Sequence, residues 1–396
     1  MKLAPKELCT GCMACVDSCR HGALAISVDQ DGFYQIDANE QHCVDCGLCG
    51  KVCPVLNLPK TRRDNPAFSK PCAAWCEDKE LRSRSASGGA FAAVARVFIE
   101  KGAVVYGAAI NGFDVCHRRI VSLEELPELL GSKYQHSNMA GIHALVKKDL
   151  KEGKTVLFSG LSCQVAGLLR FVGAKLSSKL FTIDTICGGL STMLPMTRLK
   201  ESGKYKRIVS FRDKANGWRS KGYKYALRME CTDGTVDNLG MDNMMLRCFC
   251  HKETKRSSCL DCQFNGFHRD SDATIGDFWG DTRFAEQHPD GVSVIVFHSD
   301  RLATYIGESV LHTEPVTWNE IAARNPSLYW SHMPNYRNLL TRKIIFSYLR
   351  SGNDAKAARA MERQTLLKKV EGRFLLNKYE REREDYYRQA MEKQSE

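Results

Sequence analysis

CTGCMACVDSC, residues 9–19, contains four cysteines, and CVDCGLCGKVCP, residues 43–54, repeats their spacing. Both stretches follow the pattern C-x2-C-x2-C-x3-C. In this pattern three closely spaced thiolates bind one face of a [4Fe-4S] cluster, and the fourth cysteine binds the cluster of the other repeat. The spacing therefore predicts a two-[4Fe-4S] ferredoxin domain over residues 1–60.

The crossed pattern assigns four ligands to each of the two clusters. One set is Cys9, Cys12, Cys15 and Cys53, and the other is Cys19, Cys43, Cys46 and Cys49. Zinc knuckles are the alternative, but zinc sites use four ligands in two pairs, whereas this repeat supplies two triplets and two single cysteines. Pro54 follows the last cysteine as in bacterial ferredoxins, while Arg20 stands at the corresponding place in the first repeat. Between the repeats, alternating apolar and polar residues around Asp31-Gly32 predict a β-hairpin.

Length and composition indicate an intracellular redox protein. The chain has 396 residues and 18 cysteines, enough length for two or three domains whose cores need no disulfides. We find no secretory signal, and the longest apolar run, residues 90–99, is too short to span a bilayer. We therefore expect a cytoplasmic protein without a membrane span, in which clustered thiols bind metal or carry out redox chemistry.

The charge distribution bears on the partners. The formal net charge is +11, although residues 1–60 hold five Lys or Arg and seven Asp or Glu, so the positive excess lies in the rest of the chain. A basic body can attract acidic proteins or acidic small molecules. No helix-turn-helix, zinc-finger or RNA-recognition signature is present, and we therefore expect no nucleic-acid partner.

A second domain is expected over residues 71–340, after a charged, proline-containing linker at 58–71. Ser85, Ser87, Gly88 and Gly89 precede a predicted helix, where free backbone amides and hydroxyls suit a phosphate group. The alternative is an ordinary serine N-cap with glycines for close packing. No G-x-G-x-x-G or G-x-x-x-x-G-K-[ST] motif occurs, which argues against a dinucleotide fingerprint and a P-loop.

Four further cysteines lie in three predicted loops. They are Cys163, Cys187, Cys259 and Cys262. The first two follow apolar strand patterns, and open α/β sheets place ligand sites at the carboxyl ends of strands. The four cysteines either converge on a third [4Fe-4S] cluster or are separate buried thiols, the usual state of a lone cysteine.

Seven short motifs, in the same order along the chain, resemble the coenzyme F420 hydrogenase/dehydrogenase beta-subunit family. They are SASGGAF (85–91), VVYGAA (104–109), GSKYQHS (131–137), GLSCQVAGL (160–168), DTICGG (184–189), FRDKANGW (211–218) and CLDCQF (259–264) with DATIGDFWG (272–280). The resemblance covers most of residues 1–340. It implies a third [4Fe-4S] cluster on the four cysteines of the three loops, next to a flavin that is FAD rather than FMN.

The resemblance also suggests which side chains contact the flavin and the substrate. The candidates for cofactor binding are Ser85, Ser87, Gly88, Gly89, Lys133, Tyr134 and Gln164. Lys214, Asp277 and His268 are the candidate catalytic residues, because a cation binds an anionic substrate and a carboxyl or imidazole group delivers a proton. The alternative is that these charges form salt bridges and that Lys133 is a solvated surface lysine. Ser162 and Gly188 depart from residues common in the family, which affects the expected substrate pocket but no cysteine ligand.

These observations predict an α/β fold with a ferredoxin domain, a flavin and iron-sulfur domain, and a helical extension over residues 341–396. The expected function is an iron-sulfur flavoprotein reductase that takes electrons from ferredoxin or another low-potential donor and reduces a small, anionic molecule. A flavin couples one-electron clusters to two-electron chemistry. The alternative is an electron-relay subunit of a larger dehydrogenase or hydrogenase complex that uses a deazaflavin (coenzyme F420) or a protein partner; an iron-sulfur sensor would lack the flavin. The C-terminal helix offers a surface for a homo-oligomer.

Overall fold

The structure is a computed structural model that describes residues 1–58, 69–212, 214, 226–267, 269–284, 286–307, 311–322, 324–329, 339–371 and 375–392. Most of the predicted linker, together with Asp213, Trp218 and His268, lies outside these residues. None of the described helices is both long and apolar enough to cross a membrane. The proposed domain boundaries at 60, 71 and 341 stay predictions.

The described strands fall into three sheets. They are β1 Leu24–Val28, β2 Tyr34–Ala38, β3 Lys70–Cys76, β4 Val104–Asn111, β5 Asp114–Ile120, β6 Val156–Gly160, β7 Leu180–Thr185, β8 Tyr205–Ser210, β9 Leu227–Cys231, β10 Val236–Leu239, β11 Ala273–Asp277, β12 Ser293–Phe297 and β13 Leu311–Pro315. The described helices alternate with them through the central domain and dominate the C-terminal part. They are α1 Ala14–Ser18, α2 Leu48–Val52, α3 Lys79–Ser83, α4 Ala90–Glu100, α5 Ile142–Lys151, α6 Ser162–Val172, α7 Leu194–Glu201, α8 Met244–Cys250, α9 Ser257–Leu260, α10 Asp300–Ile306, α11 Trp318–Ala322, α12 Leu339–Arg350, α13 Asp354–Glu371 and α14 Leu375–Glu392.

The N-terminal region consists of two cysteine loops, each leading into a short helix, and one hairpin between them. β1 and β2 pair antiparallel with Leu24 opposite Ala38, which confirms the hairpin predicted from the alternating pattern. The Asp29 carboxylate closes the turn by accepting hydrogen bonds from the backbone N–H groups of Asp31 and Phe33, both at 3.0 Å.

The central domain is built on an eight-stranded sheet in the order β13-β3-β12-β11-β7-β6-β4-β5. Four adjacent strands, β11, β7, β6 and β4, run parallel, and all other neighbouring strands of this sheet pair antiparallel. Helices α4 and α10 contribute to one apolar core cluster, while α5 and α6 contribute to another. Parallel strands covered by helices bury both faces, which explains the apolar run from Val156 to Phe158. This mixed architecture confirms the predicted α/β fold.

The C-terminal helices pack against the chain's own core. Tyr386, Tyr387 and Met391 of α14 contact the cluster that contains Phe267 and Tyr329. A sequence so rich in charge is typical of an exposed helix, yet its aromatic side chains are placed on this core. A homo-oligomer through the helix stays a prediction.

The N-terminal region is anchored to the central domain by buried polar contacts. Asp17 of α1 accepts a hydrogen bond from the Gly141 N–H at 2.7 Å and lies 2.8 Å from His143 Nδ1 at the start of α5. On the other side, the Thr192 hydroxyl donates to the Asp31 carbonyl at 2.5 Å. These contacts hold the first cysteine loop against the start of α5 and the hairpin turn against the segment that precedes α7.

Candidate functional site

The twelve candidate cysteine ligands surround three separate cavities, four to each. Cys19, Cys43, Cys46 and Cys49 line the outer site; Cys9, Cys12, Cys15 and Cys53 line the middle site; and Cys163, Cys187, Cys259 and Cys262 line the inner site. The first two groupings match the crossed pattern expected from the repeat. The structure thus brings together all three predicted sets, while cluster binding by each set stays a prediction. Among the described residues, no group of three or more His, Cys, Asp or Glu side chains is arranged to hold a single metal ion.

The inner site is assembled by three loops that are distant in sequence. Cys163 lies in the first turn of α6 after β6, Cys187 follows β7, and the third loop carries Cys259 and Cys262. Backbone N–H groups point at three of the sulfurs: Gly189 donates to Cys187, Leu190 to Cys259 and Phe264 to Cys262, each at 3.4 Å. Hydrogen bonds to the sulfurs stabilise the negative charge of a cluster, so this cavity fits a [4Fe-4S] group.

Arg269 joins the three loops of the inner site. Its guanidinium group is buried and donates to Ser162 Oγ at 2.5 Å and to the Gly266 carbonyl at 2.9 Å. It also lies 3.4 Å from the buried Asp184 carboxylate and from the Asn265 side-chain oxygen. Ser162 therefore contributes a hydroxyl oxygen that ties the start of α6 to Arg269.

Burial disfavours the charged form of several inner and middle thiols. It raises the pKa of Cys259 and of Cys12 to about 12, with neighbouring cysteines adding to the effect. The pKa of Cys163 is raised well above its ordinary value by the same cause. Because metal ligands are thiolates, cluster assembly here releases protons, and the cluster charge must be compensated by nearby dipoles and cations.

The middle and inner sites are adjacent. Thr10 lines both cavities. α6 packs so closely on the middle site that a Cβ atom at Gly167 would lie 2.9 Å from Cys12 Sγ. The buried Arg256 donates to the Cys9 carbonyl at 2.7 Å, while its own carbonyl accepts from the Cys259 N–H at 2.9 Å. One residue therefore contacts the ligand loops of both sites.

A large cavity of about 380 Å³ borders the inner site. It lies across residues of β4, β6 and β11 and the segment that follows β7, the parallel strands of the sheet. Leu161, Cys187, Gly189 and Leu190 line both this cavity and the inner site. Its size is in the range of small-molecule and cofactor sites, and its position follows the rule for open α/β sheets.

The segment 85–89, predicted to bind a phosphate group and called the phosphate loop below, borders the large cavity where α4 begins. Ser85, Ser87 and Gly89 line the cavity, as do Ala90 to Ala92 of the first helical turn. The two serine hydroxyls donate to the carbonyls of Leu81 and Val292, so only their oxygen lone pairs remain available to a ligand. The donors to a phosphate group would be the backbone N–H groups in the first turn of the helix.

Gly88 and Lys214 shape the phosphate loop from outside. A Cβ atom at Gly88 would lie 2.4 Å from the Ala74 carbonyl oxygen, so this glycine is required for close packing. Lys214 Nζ donates to the carbonyls of Ser87 at 2.6 Å and Arg82 at 2.7 Å, and burial lowers the pKa of Lys214 to about 8. Lys214 does not line the cavity, so the structure places it as a support of the loop.

Lys133, Tyr134 and Gln164, the other candidates for cofactor binding, all line the large cavity, and their contact with a flavin stays a prediction. Lys133 is half-buried, and desolvation of its amine lowers its pKa to about 7. Its Nζ donates to two backbone carbonyls of the preceding turn, so it is not a solvated surface lysine. The Tyr134 ring stacks on Phe249 with centroids 4.0 Å apart. Gln164 Oε1 accepts from the Leu161 N–H at 2.9 Å and thereby caps α6.

Asp277, one of the candidate catalytic residues, lies in the cavity wall at the end of β11. Its carboxylate accepts a hydrogen bond from Arg212 Nη1 at 2.7 Å, and Arg212 also lies over the Trp279 ring at 5.7 Å. All three line the cavity. His268 lies outside the described residues, and its role stays a prediction.

His117 is a cavity residue that the sequence did not reveal. Its Nε2 lies 2.9 Å from the Ser159 carbonyl, so Nε2 carries the proton, and Nδ1 has no hydrogen-bond partner within the described part of the chain. Burial lowers the pKa of His117 to about 4. The sequence could have indicated its burial, because His117 lies two positions after Val115 in β5 and therefore on the same buried face of the strand.

The other six cysteines do not line the three four-cysteine cavities. They are Cys72, Cys76, Cys116, Cys231, Cys248 and Cys250. Cys76, Cys231 and Cys248 are buried among apolar core residues, in agreement with a structural role.

Two parts of the chain match models of known protein families. Residues 153–317 match the C terminus of the coenzyme F420 hydrogenase/dehydrogenase beta subunit, and residues 8–57 match the 4Fe-4S dicluster domain. These matches confirm the resemblance given by the motifs. Among solved structures, a chain of the F420-reducing [NiFe] hydrogenase complex from Methanosarcina barkeri, after xenon derivatization, is similar, with 16% identity and a TM-score of 0.44 over 76% of this chain and 92% of that one. No curated protein matches the chain.

Proposed function

We propose that this chain, which joins a 4Fe-4S dicluster domain to the C-terminal domain of the F420 hydrogenase/dehydrogenase beta-subunit family, is an iron-sulfur flavoprotein oxidoreductase. Electrons enter at the outer site, pass through the middle and inner sites, and reach a flavin in the large cavity. The observation that supports this best is the sequence of cavities, because Thr10 is shared by the middle and inner sites and Cys187 by the inner site and the large cavity.

The direction of the path follows from exposure. Of the twelve candidate ligands, Cys46 of the outer site is the exposed one, and Cys12 of the middle site is buried. The outer and middle sites interlock through the chain, since Cys19 follows Cys15 and Cys53 follows Cys49 by one turn of helix each. An external donor therefore has its closest access at the outer site, and the large cavity is the inner end.

The residues around the large cavity fit a flavin nucleotide. The N-terminal N–H groups of α4 suit its phosphates, and the stacked rings of Tyr134 and Phe249 offer a flat apolar surface for the isoalloxazine ring. Bound there, the flavin supplies the exchange between single electrons and a two-electron reduction. Lys133 and His117 Nδ1, which has no hydrogen-bond partner among the described residues, are polar groups positioned to orient it. We infer FAD rather than FMN.

The substrate end of the cavity carries one cation and one carboxylate. Arg212 binds a negatively charged group of a small molecule, and Asp277 is the side chain at hand to hold or deliver a proton. Lys214 acts through the loop whose carbonyls it holds, so we infer a positioning role for it instead of direct contact with the substrate. His268 is retained as a second proton donor to be tested.

A second function is favoured by one observation: the matched family model describes a beta subunit. In that case the chain relays electrons within a larger dehydrogenase or hydrogenase complex, and a deazaflavin or a partner protein exchanges electrons at the large cavity. Both functions use the same four cavities in the same order.

Anaerobic purification followed by iron, sulfide and flavin analysis tests the proposal. We expect about twelve irons and one flavin per chain, the content of three [4Fe-4S] clusters and one cofactor. About eight irons would show that the inner site holds no cluster, and a colourless zinc protein would contradict the proposed function altogether. Turnover of a small molecule by the isolated chain with reduced ferredoxin favours the reductase, whereas activity that requires a co-purifying partner favours the relay subunit.

A further inference from the structure

A cluster of cations, four of them exposed and Lys147 half-buried, lies beside the N-terminal region. It consists of Arg20, Lys147, Lys148, Lys151 and Arg170, from the end of the first cysteine loop, α5 and α6. We propose that this basic face is the docking surface for an acidic electron-carrier protein. The inference rests on the proposed function and adds to it the surface and the charge of the electron donor.

The cations are close to one another in space. Burial lowers the pKa of Lys147, and the positive charges of Lys151 and Arg20 lower it further. Lys147 Nζ donates to the Phe171 carbonyl at 2.8 Å, next to Arg170, whose guanidinium group donates to the Asn57 carbonyl. The face therefore spans the junction between the central domain and the ferredoxin region.

Few carboxylates on α5 neutralise this face. Asp149 is buried and already bound by Arg119 at 2.8 Å and by Lys154 at 2.9 Å. Glu152 lies 2.8 Å from Lys154 but 3.9 Å from Lys148, whose side chain is 71% exposed. The excess charge on the face is therefore positive and reaches solvent.

The basic face borders the outer site. Arg20 follows Cys19, and the residues on both sides of it, Cys19 and His21, line the outer cavity. Leu145 is also exposed on α5, at 43% of its surface and three residues before Lys148, and it offers an apolar contact at the border of the basic face. An acidic carrier bound here lies next to the proposed point where electrons enter.

The reaction at this surface is a single electron transfer. A reduced carrier would lose one electron, a cluster held by the four outer-site cysteines would gain it, and no bond or proton would move. Opposite charges speed such encounters by long-range attraction, and the effect falls as salt screens the charges. The rate of reduction by the carrier should therefore depend on salt and on the charge of the basic face.

The test compares two doubly substituted proteins, each purified as the full chain. The first carries Lys148→Glu and Lys151→Glu; the matched control carries Lys79→Glu and Lys200→Glu, two exposed lysines on α3 and α7. A reduced bacterial two-[4Fe-4S] ferredoxin, which is acidic, serves as the probe in stopped-flow reduction. We expect the basic-face variant to be reduced at least about tenfold more slowly at low salt, and the control within about twofold of the unaltered protein.

Two further measurements separate this inference from the proposed function. The methyl viologen radical is a small cation, so its rate of reduction of the basic-face variant should be unchanged or faster than that of the unaltered protein. This result would show that the clusters are intact in the variant. Binding of oxidised ferredoxin, measured by calorimetry, needs no electron transfer and should weaken in that variant even if the chain lacked a cluster. Equal ferredoxin rates and affinities in both variants would overturn the docking surface, and so would binding of the face to anionic lipid vesicles without any response to ferredoxin.

Discussion

The N-terminal cysteine repeat and the inner site hold the same number of cysteines per cavity but are built in opposite ways. In the repeat, three of each four cysteines lie within seven consecutive residues, so the local loop and the following helix determine their arrangement. At the inner site, Cys163 and Cys262 are separated by about a hundred residues, and three strands of the sheet bring the loops together. The first site depends on local geometry and the second on the whole domain.

The difference explains why the inner site contains a buried arginine and the outer site does not need one. Arg269 contacts Ser162 beside Cys163, the carbonyl of Gly266 in the third loop, and Asp184 in β7, the strand that leads into the Cys187 loop. In the outer site, the Cys43 sulfur accepts a hydrogen bond from the Asp45 N–H two residues later, at 3.4 Å. Short loops organise their own ligands, whereas distant loops need a side chain that joins them.

The largest expected effect comes from removal of that side chain. Arg269→Met leaves the buried Asp184 without its cation, at a cost of about 3–5 kcal/mol in the free energy of unfolding. It also releases the three loops, and we expect iron to fall from about twelve to about eight per chain. Iron analysis and urea unfolding measure the two effects.

The matched control is Arg119→Met, which removes one cation from the buried Asp149 but leaves Lys154 and Tyr106 in place. We expect this variant to keep its iron. Arg269→Lys retains the charge without the five donors and should show an intermediate iron content. Full iron in Arg269→Met would show that the inner site organises itself as the repeat does.

A smaller effect concerns His117 at the inner end of the path. Because its pKa is about 4 when folded, below the ordinary 6.5, the unfolded chain takes up the proton first as the pH falls. Stability should therefore drop between pH 6.5 and pH 4, by on the order of 2–3 kcal/mol from this group.

His117→Phe should flatten that part of the pH profile and cost about 1 kcal/mol at pH 7, for the lost hydrogen bond to the Ser159 carbonyl. His42→Phe, at an exposed position in the N-terminal region, is the control and should leave the profile unchanged. Thermal unfolding at several pH values provides the measurement. Equal profiles for the His117→Phe variant and the unaltered protein would exclude His117 as the source of the acid sensitivity.

The smallest expected effect is a difference in the rate of cluster loss. The outer site includes the exposed Cys46, whereas the inner site lies between α6 and the loops tied by Arg269. With an iron chelator under mild denaturant, we expect the first four irons to leave several-fold faster than the last four. The visible spectrum and the amount of iron released would be followed over time. The Cys46→Ala variant should lack the fast phase, which would identify the outer site as its source. Simultaneous loss of all clusters would contradict the contrast between the two regions.

Much of the site was predictable, but the contacts of individual polar residues were not. The spacing of the repeat gave both N-terminal cysteine sets, and strand ends pointed to Cys163 and Cys187. A role of Lys214 at the substrate stays a prediction, and its hydrogen bonds to two backbone carbonyls were not foreseen. Such contacts depend on which carbonyl a long side chain meets after folding, and no pattern of neighbouring residues encodes them.

The sequence by itself determined the hairpin, the two interlocked cysteine sets and the alternation of strands and helices, because each depends on residues a few positions apart. Only the tertiary structure decided that the four remaining candidate ligand cysteines surround one cavity and that Arg269 connects the elements that carry them. It also placed His117 beside the same cavity as Lys133. The physical reason is that these contacts arise from the packing of parallel strands whose separation along the chain carries no signal of their distance in space.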